Sequence, residues 1–282
     1  MDMEHVRMFS FERTNDRGKP SEDYSWVGIK ESMAFAVADG VSRSQNPVGV
    51  CGEVTSQDAA RVFCHRAAFG LARQSILQDV FKVANEGIEQ INKSVGITPE
   101  TVDYLDRDYL CCTAVAGVLI ENPKRFAYGC IGDCGVFVYG ADDRFKFLSE
   151  NNVSILEALR DGKAFASKDE RRVYWRKEMR NRPGPAMTYG ALTGESEALI
   201  QVKYGYVDLE AGDTVILFSD GMYPFILDEG FRAMVTRLLK SGLPENEMRA
   251  LIGYFVSALT QLLWDKGIDN LDDDKTMIAF RV

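Results

Sequence analysis

Apolar positions along the chain follow two periods. Alternating or wholly apolar runs at 6–11, 24–30, 33–38, 113–120, 125–131, 135–139, 200–207, 214–218 and 276–282 predict strands, many with hairpin-length connections. Apolar residues recurring every three or four positions at 54–71, 75–93, 154–159, 230–241 and 245–266 predict amphipathic helices. Two strand-rich blocks, each followed by long helices, point to an α+β protein with sheets packed together and helices outside. A doubly wound parallel sheet would instead alternate one strand with one helix. No linker, repeat or low-complexity tract interrupts the pattern, so one domain over 1–282 is expected.

One strand ends oddly. In "MAFAVADGVSRSQNP" the apolar run 33–38 stops at Asp39-Gly40. An ionised carboxylate at the exit of a buried strand is costly unless a cation, a cap or a metal meets it. "DTVILFSDGMYPF" repeats the design at Asp220, "LDDDKTMIAF" sets Asp272, Asp273 and Asp274 before the last strand, and "KPSEDYSWVGI" sets Glu22-Asp23 before an early one. Any one of these reads as a turn or a solvated loop. Four together, all at strand edges, read as carboxylates converging on a hard divalent cation. All-oxygen ligation selects Mg²⁺ or Mn²⁺ over zinc.

Composition narrows the chemistry further. The chain has only His5 and His65, a poor supply for a histidine-built metal centre or a Ser-His-Asp triad. Cys51, Cys64, Cys111, Cys112, Cys130 and Cys134 mostly sit inside apolar patterns without zinc-site spacing, as reduced thiols of a cytoplasmic protein would. The net charge of -9 argues against nucleic acid as a partner. No apolar run approaches the roughly 20 residues of a membrane span, and the first residues carry no signal-peptide core. No membrane association is expected.

With these blocks in place the chain resembles the PPM metal-dependent Ser/Thr protein phosphatases, the type 2C class, over nearly its whole length. "SED" is similar to the family's Asn-Glu-Asp, "FAVADG" to its second block, "CCTAVAGVL" to its Gly-Ser-Thr-Ala strand and "GCIGDCGVFVY" to its Gly-Asp-Ser-Arg hairpin. "TYGALTG", "DTVILFSDGMY" and "DDKTMIAF" follow in the family's order. The resemblance implies a four-layer αββα sandwich with two mainly antiparallel sheets. It also implies a binuclear Mn²⁺/Mg²⁺ centre whose bridging water hydrolyses phosphoserine or phosphothreonine in proteins. Asp39 would bridge both ions and the Gly40 carbonyl would ligate one; Asp23, Asp220 and Asp273 would complete the set, with Asp39 and Asp220 central to catalysis. Asp273 is preferred to Asp274 because the family's ligand stands three residues before the Thr, here Thr276. Glu22 would hold a water at the metals, and Asp133 would supply the hairpin carboxylate of a third ion.

The chain departs from the family at three places. "DGVSRS" replaces the loop bearing the family's general-acid His, leaving a water or Ser42 for that role. The phosphate-binding Arg falls on Gly18, with Arg17 and Lys19 beside it, and a third-metal carboxylate falls on Pro224. A segment at about 150–187 matches the family's variable flap; its Arg171, Arg172 and Arg176 are candidates for binding phosphoprotein, against the plain alternative of a solvated helix face. The implied partners are a phosphorylated protein and a Ser/Thr kinase. The rival function is a catalytically inactive module that keeps the fold and binds phosphoprotein.

Overall fold

The computed structural model describes residues 6–14, 21–41, 54–142, 144–150, 165–183, 188–268 and 271–282. Arg17, Gly18, Lys19, Ser42, Cys51 and the helix expected at 154–159 lie outside them.

The strands are β1 (Arg7–Arg13), β2 (Asp23–Ile29), β3 (Met33–Gly40), β4 (Cys112–Glu121), β5 (Lys124–Ile131), β6 (Gly135–Tyr139), β7 (Phe145–Leu148), β8 (Lys203–Asp208), β9 (Thr214–Phe218) and β10 (Lys275–Arg281). They form two five-stranded sheets, ordered β1-β10-β9-β6-β7 and β2-β3-β4-β5-β8, with antiparallel pairing throughout. Helices α1 (Ser56–Ala72) and α2 (Leu77–Ser94) cover the second sheet. Helices α5 (Glu229–Ser241) and α6 (Glu245–Asp265) cover the first, after the short α4 (Tyr223–Ile226). A further short helix, α3 (Lys168–Tyr174), runs into a π-helical turn at Trp175–Met179. β7 was not anticipated, and the run expected as a strand at 200–207 begins inside a 3₁₀ turn, Ser196–Gln201.

Three apolar layers hold these four together, and β3 shows why its whole run is apolar. Ala34, Ala36 and Ala38 face α1, while Met33, Phe35 and Val37 face the opposite sheet. Alternation along a strand sends successive side chains to opposite faces, so both faces here are buried. The small residues let α1 lie close. The large ones fill the space between sheets, where Phe35 stacks on Phe280 with centroids 4.2 Å apart.

Candidate functional site

The inter-sheet layer ends in carboxylates. One step past Val37 on the same face of β3 comes Asp39, paired in register with Asp23 of β2 on one side and Thr113 of β4 on the other. Opposite residues of an antiparallel pair share a face, and like charges there repel. In the facing sheet the same continuation past Leu217 gives Ser219, and the step before Ile278 gives Thr276. Ser219 Oγ donates to Asp23 Oδ2 at 2.7 Å and accepts from the Thr276 amide at 3.0 Å, tying the two sheets at this end. Asp220 follows directly, opening a 3₁₀ turn, and Asp133 sits where the chain passes from β5 in one sheet to β6 in the other.

Two glycines permit the close approach. A Cβ on Gly221 would stand 1.9 Å from the Asp274 carbonyl oxygen, and one on Gly40 would stand 2.6 Å from the Ser56 carbonyl group. Any side chain at either position would push these segments apart. The Gly40 amide donates to the Glu22 carbonyl at 3.0 Å, and the Glu22 amide to Asp274 Oδ2 at 2.8 Å, so the segments bearing Asp23, Asp39 and Asp273 are laced together.

Burial and one another's charges make these carboxyls harder to ionise than they would be in water. Burial pushes Asp23 up to about 7, with the charge of Asp274 adding to it and the Ser219 hydrogen bond opposing it. Burial, then the charges of Asp23, Asp220 and Asp133, raise Asp39 well above the usual carboxylate range. Asp220 is raised likewise by burial and then by Asp133, Asp273 and Asp23. For Asp133 burial again leads, with Asp273 adding to it and the Thr113 hydroxyl opposing it. Asp23, Asp39, Asp133, Asp220 and Asp273 therefore act on one another as a single cluster. Among the described residues no three His, Cys, Asp or Glu side chains are already closed around one ion position. Buried Asp23 Oδ1 and Asp133 Oδ1 have no hydrogen-bond partner. Orphaned, mutually repelling, all-oxygen donors fit a hard divalent cation better than any other occupant.

The remaining expected residues fall differently. Asp273 is exposed, with Oδ1 accepting from the Asp274 amide at 2.9 Å, while Asp274 is only 4% exposed. Glu22 is half-buried beside Asp23. Arg172 is exposed and paired with Asp169 at 3.2 Å, and Arg171 lies over the Trp175 ring. Arg176 corrects the expectation of a substrate-facing side chain. It is buried, 3.1 Å from Asp108 through Nε, and donates through Nη1 to the Tyr104 carbonyl at 3.1 Å. Arg180 forms a two-pronged pair with the same Asp108 at 2.7 and 2.9 Å. The π-helical turn points both guanidiniums inward, where they anchor the segment to the loop before β4. Ser219, Thr113 and Thr276 were missed by the sequence reading. Extending each strand's alternation one step beyond its last apolar residue would have found all three.

A cavity of about 500 Å³ opens beside Asp23, lined also by Glu12, Arg13, Thr14, Ser21, Tyr24 and Gln57. Cys64, Cys111, Cys112, Cys130 and Cys134 are buried thiols outside any disulfide. No helix among the described residues is long and apolar enough to cross a membrane.

A family model described as protein phosphatase 2C matches residues 13–256. No curated protein matches the sequence. Among solved structures, the serine/threonine phosphatase Stp1 from Staphylococcus aureus aligns with a TM-score of 0.60 at 13% identity, covering 98% of this chain and 95% of its own. The catalytic domain of the phosphatase PstP, in complex with two manganese ions, aligns at 0.57 and 16% identity, covering 98% and 97%. RsbX in complex with magnesium aligns at 0.54 and 12%, covering 100% and 97%. At these identities the likeness carries the fold.

Proposed function

The chain belongs to the protein phosphatase 2C family, and from that premise we propose that it hydrolyses phosphoserine and phosphothreonine in proteins with two Mn²⁺ or Mg²⁺ ions as cofactors. The observation that carries this reading is the cluster of desolvated, mutually repelling carboxylates where the two sheets meet. Asp39, lying between Asp23 and Thr113 in its own sheet, would be a ligand to both ions. Asp23, Asp220, Asp273 and the Gly40 carbonyl would complete the ligands, and Asp133 would serve any third ion. When bound, such a pair brings the pKa of a water toward neutrality and offsets the charge developing on a phosphoryl group.

The protein's own part is positional. Ser219 fixes the Asp23 carboxylate through Oδ2, leaving Oδ1 buried without a hydrogen-bond partner. Burial keeps water from screening the site, which strengthens every charge interaction inside it. Arg13, on the wall of the cavity shared with Asp23, is a cation suited to a substrate phosphate. Glu22 would orient a water beside Asp23. Arg17 and Lys19 stay candidates on sequence grounds alone. A Ser/Thr kinase acting on the same proteins is the implied counterpart, in the cytoplasm.

The deciding experiment is hydrolysis of an aryl phosphate and of a phosphopeptide with EDTA, then with added Mn²⁺. Activity should vanish with the chelator and return with the metal. Failure to hydrolyse either substrate in Mn²⁺ would favour the inactive phosphoprotein-binding module. A second expectation concerns Arg171, half-buried over the Trp175 ring, and Arg172, exposed and paired with Asp169. Replacing both with Ala should raise KM for an acidic phosphopeptide several-fold and leave kcat for the aryl phosphate unchanged, since remote contacts bind ground and transition states alike. Unaltered phosphopeptide kinetics would return these two arginines to a solvated helix face.

A further inference from the structure

The cavity beside Asp23 is one end of a longer cleft. Glu12 and Tyr24 line it, and both also line a second cavity of about 720 Å³ that runs between β1 and β2 past Trp26 and Ile29 to Glu245 and Arg249 of α6. β1 and β2 are edge strands of the two sheets, so the cleft is an open margin of the sandwich. Where the two cavities meet, the Ser25 hydroxyl donates to Glu12 Oε1 at 2.6 Å and ties the margins together. A protein whose phosphate enters beside Asp23 must carry its flanking residues out again. This cleft leads them away.

The two walls differ in what they offer. On β1 the Ser10 carbonyl accepts from Arg249 Nε at 2.9 Å, and the Ser10 amide donates to Glu245 Oε1 at 3.4 Å, which closes that edge. β2 stands at the end of its sheet, where a strand's outer backbone groups can take up a further extended segment. On the same strand Trp26 and Ile29 are 42% and 52% exposed, apolar surface for such a segment to cover.

Charge says what that segment carries. Glu245 and Arg249 neutralise each other at 2.6 Å, and Arg61, close to Tyr24 on α1, is paired with Asp58 at 2.6 Å. His65, stacked on Trp26, is held below its ordinary pKa by burial and then by Arg61, so it is largely uncharged at neutral pH. Arg13 follows Glu12 on β1, but alternation turns it to the other face of the strand, where Nη1 donates to Ser257 at 2.8 Å. That leaves Glu12, exposed, hydrogen-bonded to Ser25 and in no ion pair among the described residues. Its carboxylate attracts a cation into the cleft and repels a second carboxylate. We propose, resting on the phosphatase reading, that this cleft receives the chain flanking the phosphorylated residue and that Glu12 selects an Arg or Lys there. Ser25, which marks the place of Glu12 along β2, is two residues from Asp23, about 7 Å in a strand. An extended substrate spans that distance in two residues, so the basic residue stands about two positions from the phosphorylated one.

Two phosphoserine peptides test this, alike except that one carries Arg and the other Glu at the positions two before and two after the phosphoserine. In Mn²⁺ the parent should show kcat/KM for the Arg peptide roughly tenfold above that for the Glu peptide, about fivefold or less from one exposed attraction and the rest from the repulsion it replaces. Glu12→Gln should bring the ratio close to one, and Glu12→Lys should reverse it. High salt should shrink the parent's preference. Because the ratio compares two peptides on one enzyme, any general effect of a variant on stability or metal binding cancels. An aryl phosphate turned over while both peptides are treated alike, or a preference unchanged in Glu12→Lys, would overturn the proposal and leave the phosphatase reading standing. If neither the aryl phosphate nor the peptides are hydrolysed, that reading falls and the cleft is tested by fluorescence anisotropy of the labelled peptides. The parent should still bind the Arg peptide more tightly and Glu12→Lys the Glu peptide; equal affinities would overturn the proposal as well.

Discussion

Asp39→Asn is expected to lower Mn²⁺-supported phosphatase activity by well over roughly a hundredfold, since loss of a mere outer partner of a metal ligand already costs 10–100-fold. The same change should stabilise the protein in chelator. Asp39 faces Asp23 across the β2–β3 pair and feels Asp220 and Asp133 as well, all desolvated. An amide of the same shape removes one of those charges and keeps the packing. The metal-free variant should therefore melt above the metal-free parent, with a gain on the order of 1–2 kcal/mol, about one partly relieved repulsion. Added Mn²⁺ should invert the ranking, because a ligand that binds only the folded state stabilises in proportion to its affinity. Asp220→Asn should behave alike, its burial and its carboxylate neighbours matching those of Asp39. Near-normal turnover by both variants would end the assignment of these residues as ligands. A fall in metal-free stability would show that the carboxylates are held by something other than a cation.

Much of this arrangement could be read from the chain because apolar periodicity is written in every strand and helix that packs on a neighbour. The run at 33–38 announced a strand buried on both faces, and the Asp-Gly at its end announced a cost needing a partner. The facing residues were harder to see. A lone Ser or Thr ending an apolar run, such as Ser219, Thr113 or Thr276, looks like ordinary strand composition. Its partner appears only when two sheets are brought face to face. β7 is four residues with a Lys inside, too short for alternation to register. The basic segment misled for a different reason. Composition counts guanidiniums but does not say which way they turn, and here a π-helical turn sends Arg176 and Arg180 inward onto Asp108. The spacing rule that favoured Asp273 over Asp274 reads distance along the chain, whereas burial singles out Asp274 as the residue holding the Glu22 amide.

In chelator the protein is expected to be more stable at pH 5 than at pH 8, the reverse of the ordinary behaviour of a salt-bridged acidic site. Asp23 titrates at about 7 in the fold against an ordinary 3.8, and Asp39, Asp133 and Asp220 are raised in the same direction. Between those two values the folded chain binds more protons than the unfolded one, so stability falls as pH rises through the interval. It is fully present near and below pH 4 and gone above about 7 as far as Asp23 is concerned. Between pH 5 and pH 8, Asp23 alone accounts for roughly 3 kcal/mol, about two pH units at about 1.4 kcal/mol each. For a chain of this length that corresponds to roughly 5 °C in melting temperature. Calorimetry in EDTA at pH 5, 6.5 and 8 reads it directly. Asp23→Asn separates the site from the general relief of net negative charge on acidification, because the variant keeps the surface charges and should lose most of the slope. Mn²⁺ should flatten or reverse the parent's profile, since cations at the cluster favour the deprotonated carboxylates. A metal-free melting temperature that rose with pH, or a slope unchanged in Asp23→Asn, would show that these carboxyls are not the desolvated, mutually repelling set that the end of the sandwich places together.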